Sequence, residues 1–423
     1  EEYPGKPIIL GDVEELVISK KLELLPDGAI KVCFDKHQER IFGKDKQKNN
    51  TGPELEGLLE DLAPGSDLAN GFSREVLPKY AAAIELNPDN PLFGDAVYFP
   101  KDESLALMLP HKWRHIALIT RNSLLIRDLG QKTTLEEQRA VFDPLTIGVA
   151  GASVGKNILS ISIQTLRPGH VKIADPKSYK LTNANRTTMD YKDIGENKAV
   201  VAAAQIHGLD PHQKISVFPL GIDIHNAADF LAGNESIGEP RLDVLVEETD
   251  DPDVKIFLRQ LARQYKIPVF MVTDIGTAYQ IDFLDYGKNS NLPLAVGIKD
   301  EDLLQAQVDW HNDKANRELF FNFAFKLIGN NWKSVPEFRD IVLKKLITPF
   351  AGGIPQLGAA AYAGASKTAI MIAQYALGYE LPQRFFENLR IKEEPKRTYQ
   401  DIIAERALNR KKRKYAQRFF NTG

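Results

Sequence analysis

Cysteine is almost missing from this chain: 423 residues hold one, Cys33. A single thiol excludes an internal disulfide framework and any zinc or iron–sulfur site built from several cysteines. It points to a reducing, cytoplasmic setting. Histidine is scarce too, at eight residues with no catalytic spacing among them. His207, His212 and His225 read as surface or structural. No sign of charge dominates: 54 basic and 57 acidic side chains leave a net charge of −3, which gives no global attraction to nucleic acid or anionic lipid. Uncharged apolar runs of ~18 residues are absent, so no membrane span is expected. The nearest stretch, "LGAAAYAGASKTAIMIAQYALG" (357–378), is interrupted by Lys367. Its Gly, Ala and Ser content suits a helix packed closely in a soluble core. The opening "EEYPGKPIILGD" is acidic and lacks a basic n-region, so no signal peptide is expected. The absent initiator Met points to a trimmed or incomplete N-terminus.

What is present has a clear rhythm. The length suits two or three domains. Residues 1–110 form a mixed α+β region in which short apolar runs alternate with charged loops, and their fold is not legible. Cys33 in "IKVCFD" reads there as a small buried apolar residue. From about residue 140, strand, turn and helix repeat. "LTIGVA", "HVKIAD", "KISVFPL", "LDVLVEE" and "IPVFMVT" read as strands. "VGKNILSISIQTL", "ENKAVVAAAQIHGL" (with Gly208 as its stop), "AADFLAG" and "DPDVKIFLRQLARQY" read as helices. Apolar strands alternating with helices predict an α/β fold, a doubly wound, mostly parallel Rossmann-like sheet. The expected boundaries are an α/β domain over 111–300, a helical and strand extension over 301–390, and a basic tail over 391–423. That tail carries ten Lys or Arg against four Asp or Glu. A solvated helix face or frayed terminus is the favoured reading, and contact with RNA or an acidic partner the less favoured one.

The first strand runs into "IGVAGASVGKNIL". An ATPase P-loop fails here, because Ala150 stands where its first glycine belongs and Asn157 lacks the magnesium-binding hydroxyl. The dinucleotide pattern G-x-G-x-x-G maps onto Ala150, Ala152 and Gly155 and is weak. The strand–turn–helix setting nevertheless lets N–H groups around Ser153 to Lys156 face an anion. The plainer reading is a tight turn with no ligand.

Asp175 ends the second strand, where a carboxylate can accept ribose hydroxyls of NAD or of any adenosine nucleotide. The alternative is an Asp capping a turn before Pro176. Asn183, Asn185, Arg186 and Lys198 follow. Two cations exceed the need of a pyrophosphate bridge and suit a triphosphate. Asp250 and Asp251 follow the fourth strand of this domain, at the edge that faces the ligand crevice, and would hold Mg²⁺ beside a triphosphate. The alternative for Asp250 is a helix N-cap before "PDVKIFLRQL".

Taken in order, "AGASVG", Asp175, "NANR", "GENK" and "ETDD" resemble the ThiF/MoeB/HesA superfamily of E1-like, ubiquitin-activating-type adenylyltransferases. The resemblance covers roughly residues 115–290. The lead-in "ITRNSLLIRDLGQKTTLEEQRAVFD" fits it, and "SVG" resembles a bacterial ThiF-like branch without a catalytic cysteine.

The resemblance implies an E1-like fold that binds ATP with Mg²⁺. The loop residues Gly151, Ala152, Ser153 and Gly155 would cradle the nucleotide, and Asp175 would hold its ribose. Asn183, Arg186 and Lys198 would bind the phosphates, and Asp250 the metal. Arg121, or else Arg127, would reach the partner's nucleotide in a homodimer. Two departures matter: Lys177 stands where the family has a second acid, and no cysteine follows the site. The expected activity is therefore adenylation of a carboxylate and transfer to an outside nucleophile, without an enzyme thioester. The carboxylate could belong to a peptide C-terminus, a small ubiquitin-like protein, a metabolite or a tRNA-linked nucleoside. Two rivals stay open. An NAD-dependent oxidoreductase explains Asp175 but leaves Arg186 and Lys198 without a role. A non-catalytic E1-like binding subunit would not need the retained Arg, Lys and Asp.

Overall fold

Burial of the strand runs decides the architecture: every residue of Thr146–Ala150 and of Val244–Glu247 is enclosed, as a sheet covered on both faces requires. The computed structural model describes residues 3–35, 38–61, 67–86, 88–89, 92–111, 113–114, 135–347 and 356–390. It divides into two compact units. One comprises Glu1–Leu145, Ser162–Val171 and Val200–Val217, the other Thr146–Ile161, Lys172–Ala199 and Phe218–Gly423.

In the first unit, β1 (Ile8–Asp12), β5 (Gln47–Asn49), β6 (Asp95–Phe99) and β7 (Ser104–Met108) form a sheet of order β1-β6-β7-β5. A second sheet joins β2 (Leu22–Leu24), β3 (Ile30–Asp35) and β4 (Gln38–Phe42) as an antiparallel meander. Helix α1 (Val13–Ile18) buries Val13 and Leu16 in a core with Leu22, Ile30, Val32, Tyr98 and Leu107. Helices α2 (Thr51–Asp61) and α3 (Asp67–Leu86) follow. Cys33 lies on β3 and is half-buried rather than enclosed. Its Sγ sits 3.4 Å from the Glu39 carboxylate. Desolvation and that carboxylate push the thiol up, away from the thiolate form.

The α/β sheet has the order β10-β9-β8-β11-β12-β13-β14. Its strands are β8 (Thr146–Ala150), β9 (His170–Ala174), β10 (Lys214–Phe218), β11 (Val244–Glu247), β12 (Val269–Ile275), β13 (Ala278–Leu284) and β14 (Arg384–Asn388). Strand β11 pairs in parallel with β8 and β12, while β13 and β14 add an antiparallel edge. Helices α4 (Leu135–Phe142), α5 (Val154–Thr165), α6 (Lys198–Leu209), α7 (Ala227–Leu231) and α8 (Pro252–Gln264) alternate with the strands. Gly208 does not stop α6, which runs on to Leu209; a glycine in the last turn is tolerated at modest cost. Helices α9 (Asp300–Asn312), α10 (Arg317–Ile328), α11 (Pro336–Ile347) and α12 (Gly358–Ala376) lead to the last strand. Helix α12, which carries Lys367, packs against β12 and β13. Among the described residues, no helix is long and apolar enough to cross a membrane.

The order of β10, β9, β8, β11 and β12 reverses direction between β8 and β11. Ligands of open α/β sheets bind outside the strand ends at such a reversal. The chain places the glycine loop after β8 and Asp250 after β11.

Candidate nucleotide site

Gly151 turns the chain out of β8 with φ +104°, a left-handed conformation that glycine adopts without strain. A Cβ there would also lie 2.4 Å from the Glu248 carbonyl oxygen, so the loop is pressed against the exit of β11. The Gly151 N–H donates to the Ala174 carbonyl at 2.7 Å, and the Glu248 N–H to the Ala150 carbonyl at 2.7 Å. Ala152, the alanine at the pattern's middle glycine, is fully buried. Its methyl packs inward and does not narrow an open face. Gly155 lies in the first turn of α5, where a Cβ would meet the Val149 side chain at 2.4 Å. Ser153 carries a buried Oγ with no hydrogen-bond partner. Such a hydroxyl is costly to leave unsatisfied and suits a ligand oxygen.

Asp175 holds this loop in place. One carboxylate oxygen accepts the Ala152 N–H and the other the Lys177 N–H, both at 2.8 Å. The turn-capping reading therefore holds, with the loop bond added to it. Each oxygen keeps a second lone pair, but only 6% of the residue is exposed.

Lys177 reaches across to Asp250, with Nζ and Oδ1 2.5 Å apart. Burial would raise the Asp250 carboxyl, but Lys177 and then Lys198 pull it below the usual carboxylate range. Asp250 is not the helix cap: Asp251 caps α8, accepting the Asp253 and Val254 N–H groups at 2.9 and 3.3 Å. That leaves Asp250 without a structural duty in the helix.

Lys198 opens α6 and is 92% buried. Its Nζ lies 5.9 Å from the centre of the Tyr179 ring. Burial pushes Lys198 below the usual ammonium range, against the pull of Asp175 and Asp250. Among the described residues, no carboxylate comes within salt-bridge distance of it. Arg186 ends the turn Leu181–Asn185 and donates to the Thr182 carbonyl at 3.1 Å and to Asn185 Oδ1 at 2.9 Å. Asn183 serves that turn, its Oδ1 accepting the Lys180 N–H at 2.8 Å. Asn157 donates to the Arg186 carbonyl at 2.8 Å and accepts from the Thr187 hydroxyl at 3.2 Å. The lysine of the loop, Lys156, turns inward: 1% exposed, it donates to the Thr188 carbonyl and lies 5.5 Å from the Tyr179 ring. Burial pushes it down to about 8. A P-loop lysine must face phosphate, and this one does not.

Two carboxyls at the same strand ends escape sequence reasoning. Glu248 accepts the Val272 N–H at 2.7 Å, and burial of its carboxyl pushes it up to about 8. Asp274, near the end of β12, is 92% buried and has one oxygen without a partner. Burial pushes it up to about 7, against the pull of Arg186. The only sequence signal was an acid inside the apolar run "VFMVTDI". Arg121 and Arg127, together with the basic tail from 391, lie outside the described residues. His207 is structural rather than exposed, receiving the Tyr3 hydroxyl at 2.6 Å and facing the Gln213 carbonyl at 2.9 Å. His225 is exposed.

Comparison with known proteins places this stretch of the chain in a family. The chain is 33% identical over 215 residues to MT1398, an uncharacterised protein of Mycobacterium tuberculosis (strain CDC 1551 / Oshkosh). That match takes in 50% of this chain and spans 27% of the relative's length. Among solved structures, PaaA matches with a TM-score of 0.45 and 13% identity, over 77% of this chain and 94% of its own. Escherichia coli MccB with MccA-N7isoASN matches with a TM-score of 0.43 and 12% identity, over 86% and 90%. The ThiF family model matches residues 142–301, the stretch that holds the glycine loop, Asp175, Arg186, Lys198 and Asp250. Residues 142–301 thus form a ThiF-family domain.

Proposed function

We propose that this chain adenylates a carboxylate with ATP and hands the acyl group to a nucleophile that another molecule supplies, with AMP as the leaving group. The observation that carries the reading is the pair of cations, Lys198 buried and Arg186 half-buried, beside a loop that offers an unpartnered Ser153 hydroxyl. A buried ammonium without a paired carboxylate is costly unless an anion completes it. The residues fit the nucleotide: the glycine loop supplies N–H groups, Asp175 a spare lone pair for ribose, and Lys198 and Arg186 charge for phosphate.

The substrate carboxylate, already ionised at neutral pH, attacks the α-phosphorus of ATP. The P–O bond to pyrophosphate breaks, and acyl adenylate and pyrophosphate form. Lys198 and Arg186 stabilise the charge that builds on the phosphate oxygens. Asp250 would hold Mg²⁺, which neutralises phosphate charge when bound, once Lys177 has released the carboxylate. Cys33 supplies no thioester, since its thiol is held protonated on β3.

We propose further that the working form is a homodimer, with Arg121 or Arg127 reaching the partner's nucleotide. Exchange of labelled pyrophosphate into ATP, driven in turn by a peptide C-terminus, a small ubiquitin-like protein, metabolite carboxylates and a tRNA-linked nucleoside, tests the reading. Tight binding of NAD with no binding of ATP would overturn it. Binding of ATP with no exchange across all four classes would leave a nucleotide-binding subunit instead.

A further inference from the structure

A separate cluster lies within the first unit. His111 follows β7, and Asp210 and His212 occupy the turn between α6 and β10. One ligand atom from each comes within 4.8 Å of the others. The His111 and His212 rings stack at 4.9 Å between centres.

The surroundings are arranged as a metal site requires. Asp210 is 99% buried and turns one oxygen to the Arg167 guanidinium, itself 97% buried. The other oxygen, Oδ1, accepts the His212 N–H at 3.1 Å and lies 3.8 Å from His212 Nδ1. The far nitrogen of the same ring, Nε2, lies 3.1 Å from the Asp95 carboxylate. The His212 side chain is 91% buried, and its Nδ1 has no hydrogen-bond partner. A histidine that gives one nitrogen to a metal and the other N–H to a carboxylate has this layout. Arg167 plays the same part for Asp210, fixing the oxygen that would not bind the ion.

We propose that His111 and His212, through one ring nitrogen each, and Asp210, through Oδ1, bind a zinc ion, with Asp95 orienting His212. Two nitrogens and a carboxylate oxygen suit a borderline cation and are a poor set for Mg²⁺, which prefers oxygen. Ligand atoms of a tetrahedral zinc stand about 3.4 Å apart, given metal–ligand distances of about 2.0–2.1 Å. The His212–Asp210 pair is already near that spacing. His111 is the exposed ligand, at the rim of the cluster. The competing arrangement is an imidazolium shared between Asp95 and Asp210, with no metal at all.

Zinc titrated into the full chain against a chromophoric chelator separates the two. The expected result is one equivalent bound with micromolar or tighter affinity, undisturbed by millimolar Mg²⁺. His212→Gln should weaken binding at least ~100-fold, and Asp95→Asn ~10–100-fold as loss of an orienting partner does. Exposed His111→Gln should weaken it ~10-fold or more, and it serves if His212→Gln does not fold. Absence of saturable binding overturns the proposal, as does one equivalent bound undiminished by His111→Gln.

Discussion

Lys177 and Asp250 close an ion pair of 2.5 Å between the turn after β9 and the segment after β11. A lysine here is an internal cation on the carboxylate that would hold Mg²⁺. Both side chains are more than half exposed, so the pair contributes at most about 1 kcal/mol and yields readily to a ligand. Lys177→Ala removes the competitor. In pyrophosphate exchange, the Mg²⁺ concentration for half-maximal rate should fall several-fold. A rise in that concentration would show that Lys177 assists the nucleotide rather than competing for Asp250.

Asp250 and Asp251 separate cleanly by substitution. Asp250→Asn keeps size and a hydrogen-bonding oxygen but removes the charge, and exchange should drop ~10²–10³-fold with an unchanged melting curve. Asp251→Ala removes the α8 cap, which should cost about 1 kcal/mol of stability. Thermal unfolding and exchange assays on both variants check this, and the expected pattern is one loss in each column, not two in either.

Asp274 makes stability depend on pH. Its folded value, about 7, lies above the ordinary carboxylate value near 4, so the folded chain binds more protons between those limits. Stability contributed by the protonated carboxyl is thus full at acid pH and is lost as pH rises from about 4 through 7. Asp274→Asn keeps a neutral group in the same space. The variant should gain on the order of a kcal/mol or more over the parent at pH 8 and lose the advantage near pH 4. Melting temperatures across pH 4–9 provide the measurement, and parallel curves for the two proteins would refute the assignment.

Cys33→Ser should leave adenylation and acyl transfer at parental rates. The thiol is held protonated and lies on a strand of the first unit. A variant that accumulates acyl adenylate without completing transfer would make Cys33 a nucleophile.

Period and composition made the α/β domain legible. Five apolar runs announced β8 to β12, and the turn residues between them fell where the strands end. The side chains around the site were less legible, because their roles depend on neighbours distant in sequence. Asp250 and Asp251 are adjacent carboxylates after one strand, and only the helix geometry assigns the cap to the second. Lys156 sits in the first turn of α5, where a sequence motif would aim it at phosphate, yet its side chain turns to Thr188, thirty-two residues on. Asp274 is a single acid in a hydrophobic strand, and its missing partner shows only in three dimensions. The antiparallel edge is a further case, since β14 joins β13 across about a hundred intervening residues, and its sequence carries no mark of the strand it will find.

Asn157 stands where a P-loop carries its magnesium-binding hydroxyl, and its amide makes a tie that a hydroxyl could not span. Its amide joins the first turn of α5 to the backbone of Arg186 and to the Thr187 hydroxyl. The helix start that follows the glycine loop and the arginine segment, about thirty residues apart in sequence, are therefore held to one another by a single side chain.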